Sequence, residues 1–250
     1  MLVIELAHRT PGADVAAEVK RFHVLWDAAA EADSLAQATD EPGPAQDVSL
    51  AVSQSVTFTR VPAVGRSLLL ADIEMFSRRD DVEQAYMRRM LFGLLDRVAE
   101  AAGVDPAARR RADRGDGVME LIDASVPMAA LLRAVLAVVP AELRAFNRLA
   151  SDSVQLRPRL VLATGNVSVD EHDGWVGVAL SDASRLLDAE AVRAALREGT
   201  DTYALCVSDA VYWRTVRQNH PGIRTEEFHE MAVQTKNGTL QAWLHRPLPA

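Results

Sequence analysis

One cysteine, Cys206, stands in 250 residues, so the chain holds no internal disulfide framework and no cysteine-based zinc site. That fits a reducing interior, and the thiol's place inside Tyr203-Ala-Leu-Cys-Val207 reads as a small buried residue of a strand. No apolar run approaches the roughly 20 residues of a membrane span. The start, Met1-Leu-Val-Ile-Glu-Leu-Ala, lacks the basic region and cleavage site of a signal peptide. The expectation is a cytoplasmic protein with no membrane partner. Positive charge is also short: a formal net charge of -8 excludes a general nucleic-acid binder, which needs an excess of Lys and Arg, and leaves room only for a local basic patch. His8, His23, His172, His220, His229 and His245 are scattered without helical metal-ligand spacing, which excludes a zinc centre built on them. A glycine-rich P-loop and a nucleophile elbow are both missing.

With 49% hydrophobic and 25% charged residues, the chain has the makings of one ordinary globular domain with an appendage. Residues 1–65 are the appendage. Asp14 to Ala36 is Ala-rich with Val19, Phe22, Leu25 and Trp26 at helical spacing, and Asp40-Glu-Pro-Gly-Pro44 breaks it. This reads as a partly disordered helical arm and linker, with Ser49 to Arg60 a strand or extended connector. From residue 66 to 250 strands and helices alternate. Ser67–Ile73 is a buried strand and Val82–Ala102 a long helix ended by Gly103 and Pro106. Arg109–Asp123 is a hairpin, and Pro127–Leu149 a helix with a break expected at Pro140. A strand from Arg159, a second hairpin through Glu171-His-Asp-Gly174 and a helix from Ala179 running toward Arg197 follow. Next come the strand Tyr203–Val207 and a short helix capped by Ser208-Asp209. A final hairpin turns at Lys236-Asn-Gly238. Hairpins interleaved with long helices predict an α+β sandwich, helices against a mostly antiparallel sheet.

The chemistry gathers at two places. Leu68-Leu-Leu-Ala-Asp-Ile-Glu-Met-Phe-Ser77 is an apolar strand that delivers Asp72 at its end, and Asp113-Arg-Gly-Asp-Gly-Val-Met119 is a tight turn that delivers Asp116. Paired carboxylates on neighbouring strand ends suit a hard divalent cation held against a triphosphate. Asp116 between glycines is also an ordinary turn residue, whereas a near-buried Asp72 calls for a partner.

These stretches, with Arg159-Leu-Val-Leu-Ala-Thr-Gly165 and Gly177-Val-Ala-Leu-Ser-Asp-Ala-Ser-Arg-Leu186, follow the order and spacing of the class III nucleotidyl cyclase catalytic domain. From about Arg66 to Pro247 the chain resembles a divergent bacterial member of that adenylate/guanylate cyclase family. The resemblance implies a ferredoxin-like βαββαβ sandwich and conversion of a nucleoside triphosphate to a 3′,5′-cyclic nucleotide and pyrophosphate. It implies Mg²⁺ or Mn²⁺, two per site, held by Asp72, Asp116 and the carbonyl of Ile73. Arg185 falls where the family stabilises the transition state, Lys236 where it grips the phosphates, and Ser181 where an asparagine orients the ribose. The substrate surface then includes Phe76, Ser77, Ala112, Arg114 and Asp173. The partner implied is a second copy of the chain, in a homodimer with composite sites.

Three positions depart from the family. Ser181 replaces the asparagine and has shorter reach. Ala112, and Gly174 beside Asp173, stand where base-selecting side chains are usual, with Asp113 and Arg114 the nearest replacements. Met75 stands where a glycine is common. The base therefore stays unassigned and a pyrimidine stays open, which extends the resemblance to cyclases of bacterial antiviral signalling. The same departures support an alternative: a degenerate module that binds a nucleotide or a protein partner without turnover. A wide separation of Asp72 from Asp116 would instead indicate a structural interaction domain.

Overall fold

The structure is a computed structural model that describes residues 62–199, 201–236 and 238–246. All but the last four residues of the expected arm over 1–65 lie outside the described residues. The elements begin β1 (Val64–Ile73), α1 (Asp81–Ala101), β2 (Arg109–Asp113), β3 (Gly117–Asp123), α2 (Met128–Asn147) and β4 (Pro158–Val169), in the order βαββαβ. Then follow β5 (Trp175–Val176), α3 (Val178–Leu187), α4 (Glu190–Glu198), β6 (Ala204–Ser208), α5 (Asp209–Arg214), β7 (Phe228–Thr235) and β8 (Gly238–His245). One sheet of eight strands runs β2-β3-β1-β4-β6-β8-β7, with β5 pairing β4. Among the described residues only the β4–β6 pairing is parallel. This is the α+β architecture expected, a mostly antiparallel sheet with helices packed on it.

β1 reads as a nearly unbroken apolar run because both of its faces are covered. Leu69, Ala71 and Ile73 point into a core shared with α1 and α2, while Leu68 and Leu70 point into a second core under α3 and α4. α1 starts on a capping box, Asp80 accepting from the Glu83 N–H at 2.8 Å and Glu83 reaching back to the Asp80 N–H at 3.3 Å. Its buried face is Met87, Leu91, Leu94, Leu95 and Val98. Between α1 and the sheet, fully buried Glu120 is clasped by Arg109 and Arg111, which share Asp96. Arg111 also lies over the Phe92 ring, 4.7 Å from its centroid.

Three local expectations change. α2 continues through Pro140 without a break, since buried Leu131, Leu132, Val135, Val139 and Leu143 hold both halves against one core. The helix expected from Ala179 toward Arg197 is two helices: Ala189 takes an extended conformation, and the turn lets Val192 and Leu196 of α4 return to the core under the sheet. Ser208 makes no side-chain cap on α5, and its hydroxyl is buried without a partner. Asp209 accepts instead from the indole N–H groups of Trp213 and Trp243, at 2.9 and 3.3 Å. The Trp243 ring stacks parallel on Tyr212 with centroids 3.4 Å apart. Among the described residues no helix is long and apolar enough to cross a membrane.

Candidate active site at the end of the central strand

β1 is flanked by β3 and β4, and the register places Asp72 opposite Gly117 on one side and Arg159 on the other. The β2–β3 turn needs its glycines for different reasons. Gly115 sits at φ +88, a left-handed conformation, while a Cβ on Gly117 would lie 2.5 Å from the carbonyl oxygen of Ala71. That close approach lets the Ile73 N–H donate to the Asp116 carbonyl at 3.1 Å, pinning the turn to the end of β1. From below, Arg88 of α1 holds Asp113 at 2.8 Å. Asp72 and Asp116 thus share the wall of one cavity of about 230 Å³ with Arg114, Ser184, Leu187 and Asp188.

Asp72 is the strained group here. Its side chain is 13% exposed, and burial pushes its pKa up to about 6 against the opposing pull of Arg159; the charges of Asp116 and Asp188 raise it further. One carboxylate oxygen is paired to the Arg159 guanidinium. The other, Oδ1, is buried with no hydrogen-bond partner, as is Nε of Arg159. A buried carboxylate oxygen left bare costs about 1–3 kcal/mol, so the site is poised for a ligand that supplies it. A divalent cation fits these residues by donor chemistry: Asp72, the exposed Asp116 and the carbonyl of Ile73 are oxygen donors, and Mg²⁺ commonly takes one or two carboxylates plus substrate phosphates. Among the described residues no group of three or more His, Cys, Asp or Glu gathers to hold a metal.

The other expected residues are distributed as follows. Phe76 is partly buried against the α1–α2 core and Ser77 is exposed, on the short turn of helix after β1. Met75, just before it, sits at φ 57 in the left-handed region and is 48% exposed, so its side chain turns to solvent rather than into the core. Arg114 lines the cavity. Asp113 is committed to Arg88, which lowers its pKa, and Asp173 to Arg110 of β2 at 2.8 Å, bridging the hairpin tip beyond β4 to β2. Ala112 packs at the edge of the α3–α4 core. On α3, Ser181 is exposed and Arg185 pairs with Asp182 at 2.7 Å. Lys236 is far away. Following the register from Asp72 to Arg159, Ala204, His245 and Phe228 shows that the β7–β8 turn lies at the opposite end of the sheet. Within one chain, then, Asp72 and Asp116 line one cavity, and Lys236 lies at the other end of the sheet.

Sequence reasoning gave no role to Arg159. The available signal was its place at the head of an apolar strand, where antiparallel pairing with β1 sets the single charge of β4 opposite the single carboxylate of β1.

No protein-family model matches the chain, and no curated protein matches it by sequence. Solved structures do. An adenylate/guanylate cyclase/hydrolase from Silicibacter pomeroyi superposes with a TM-score of 0.54 at 19% identity, over 74% of this chain and 98% of its own. The guanylyl cyclase Cya2 gives 0.52 at 16%, over 74% and 93%. A bacterial light-regulated adenylyl cyclase gives 0.51 at 16%, over 73% and 90%. The likeness is one of fold: this chain has the fold of adenylyl and guanylyl cyclase domains.

Proposed function

We propose that the protein is a metal-dependent nucleotidyl cyclase that converts a nucleoside triphosphate to a 3′,5′-cyclic nucleotide. The observation that carries this is the bare, buried Oδ1 of Asp72 beside Asp116 in a fold of cyclase domains. In the reaction the ribose 3′-oxygen bonds to the α-phosphorus, the bond to the β-phosphate bridging oxygen breaks, and the hydroxyl proton is lost to water. Mg²⁺ or Mn²⁺, two per site, would lower the hydroxyl's pKa and offset charge on the phosphates.

The chain's residues divide the remaining work. Asp72, Asp116 and the carbonyl of Ile73 would hold the cations. Arg159, beside Asp72, would offer its planar fork to phosphate oxygens, and Arg114 would add a second guanidinium at the rim. Arg185 and Ser181 serve the site of a second copy, Arg185 facing charge as it develops and Ser181 the ribose. The distance of Lys236 from Asp72 in one chain supports this composite arrangement. So do Val176 and Val178, both apolar and exposed beside the start of α3. The base is open, a pyrimidine included, and a role in antiviral signalling would follow only from that.

A second reading, nucleotide binding without turnover, is favoured by Ser181, by Ala112 and by Met75 at a left-handed position. The deciding experiment incubates the purified chain with Mn²⁺ and each of the four ribonucleoside triphosphates. Cyclic monophosphate with equimolar pyrophosphate from one of them is expected; saturable binding without either product establishes the second reading instead.

A further inference from the structure

Helix α1 and the hairpin that carries Asp116 are joined by three contacts in register. Arg88, Phe92 and Asp96 follow one another at four-residue spacing on α1, and opposite them stand Asp113, Arg111 and Arg109 at two-residue spacing on β2. Four residues of helix advance about 6.0 Å and two of strand about 6.6 Å, so the two rows keep step. Arg88 donates to Asp113 at 2.8 Å, Arg111 lies over the Phe92 ring at 4.7 Å, and Arg109 meets Asp96 at 3.0 Å. β2 is an edge strand, with β3 its one partner among the described residues, and this row ties it to α1.

The contact nearest Asp116 reaches past β2 into the turn. Both Arg88 terminal nitrogens take Asp113, and Nη1 also donates to the Gly115 carbonyl, while Asp113 Oδ1 accepts from the Gly115 N–H at 2.9 Å. Both polar groups of the residue before Asp116 are therefore engaged. Gly115 is where that matters, because it stands left-handed at φ +88 with no atom within 4 Å of the place a Cβ would take, so packing does not restrain it. On the other side of Asp116, the Ile73 N–H holds its carbonyl. The Arg88–Asp113 pair is itself 31% and 48% exposed, and pairs this open contribute little to overall stability. What it fixes is local.

We propose that Arg88 is a positioning residue of the candidate site, fixing the Gly115 peptide so that the Asp116 carboxylate stands beside Asp72 ready for a divalent cation. The cation is taken from the cyclase reading, on which the inference rests for that alone. Charge and position make opposite demands here. A guanidinium near the site repels a cation, so by charge alone Arg88→Gln would tighten cation binding and Arg88→Lys would leave it unchanged. By position both weaken it, since glutamine has no charge to hold Asp113 and a lysine ammonium lacks the planar fork that takes both carboxylate oxygens side by side.

The test uses the full chain and two readings. Titration with Mn²⁺, followed by the loss of the free ion's paramagnetic resonance signal, should show affinity falling about tenfold in Arg88→Gln and also falling in Arg88→Lys, in the range seen when groups that orient metal ligands are removed. Hydrogen exchange of the metal-free chain should show the Ile73 amide exchanging about tenfold faster in Arg88→Gln, with the amides of Leu68–Leu70 unchanged. Thermal melts confirm that both variants fold. Mn²⁺ affinity that rises in Arg88→Gln or holds in Arg88→Lys overturns the inference, and so does an Ile73 amide that exchanges at its wild-type rate. Wild-type chain that takes up no Mn²⁺ counts against the cyclase reading instead, and the exchange rate then decides the role of Arg88 by itself.

Discussion

Removing Arg159 should destabilise the protein in a strongly pH-dependent way. In the wild-type chain Asp72 carries a pKa of about 6 against 3.8 for the free side chain. At pH 8 that shift of about 2 units costs about 3 kcal/mol, at 1.36 kcal/mol per unit. Arg159→Gln takes away the one charge that opposes burial. The carboxylate's worst case is then to bind a proton, which at pH 8 costs about 6 kcal/mol relative to the unfolded chain. The variant therefore loses up to about 3 kcal/mol at pH 8, in line with the roughly 3–5 kcal/mol for breaking a buried ion pair from one side. At pH 5 the wild-type carboxyl is itself mostly protonated, so this charge-dependent loss falls to nearly zero. The sign for the wild type follows the same logic. A carboxyl whose folded value is raised makes the fold less stable as pH climbs from about 4 to about 6, and adds nothing further above that. Urea unfolding of both proteins at pH 5 and pH 8, with chelator present, measures the difference. A loss equal at the two pH values, or larger at pH 5, would refute the account of Asp72 as a buried charge held by Arg159.

Asp116 is exposed, so Asp116→Asn should abolish turnover while moving stability by no more than about 0.5 kcal/mol; paired pyrophosphate-release assays and melts check both halves. Asp116→Ala and Arg185→Ala, each inactive alone, should regain partial turnover when mixed under conditions of subunit exchange, because one site of the mixed dimer carries both lesions and the other neither. Exchange without recovery places the whole site in one chain. At φ 57, Met75→Val should lose more than about 1 kcal/mol and Met75→Gly should stay within about 1 kcal/mol of wild type, as read by denaturant midpoints. Gly117→Ala drives a Cβ against the Ala71 carbonyl and should cost more than about 2 kcal/mol, with loss of any turnover.

Local pattern carried most of the fold. The apolar run before Asp72, the glycines around Asp116 and the period of Met87, Leu91, Leu94 and Val98 each name an element from its own residues. What local pattern hides is register. Asp72 and Arg159 are 87 positions apart, and their pairing exists only once β1 and β4 align. The same holds for the separation of Lys236 from Asp72, which needs four successive strand pairings to see. The split between α3 and α4 was hidden for another reason. Asp188 and Ala189 are no helix breakers, and the turn is made by the pull of Val192 and Leu196 toward the sheet. The pairing of Arg110 with Asp173 was hidden in the same way as that of Asp72 with Arg159, because their contact spans separate hairpins.

The strand that leads away from Lys236 also carries Trp243, flat against Tyr212 and tethered to Asp209. Trp213, half exposed under Arg217, donates to the same carboxylate and meets Tyr212 edge-on, so what sets Trp243 apart is its parallel stack on that ring. A neighbour pressing on the β7–β8 hairpin would shift β8 and with it the stack, brightening or reddening Trp243. The molecule thus contains its own optical reporter for whatever engages that end of the sheet, legible without a label by following tryptophan emission as protein concentration rises.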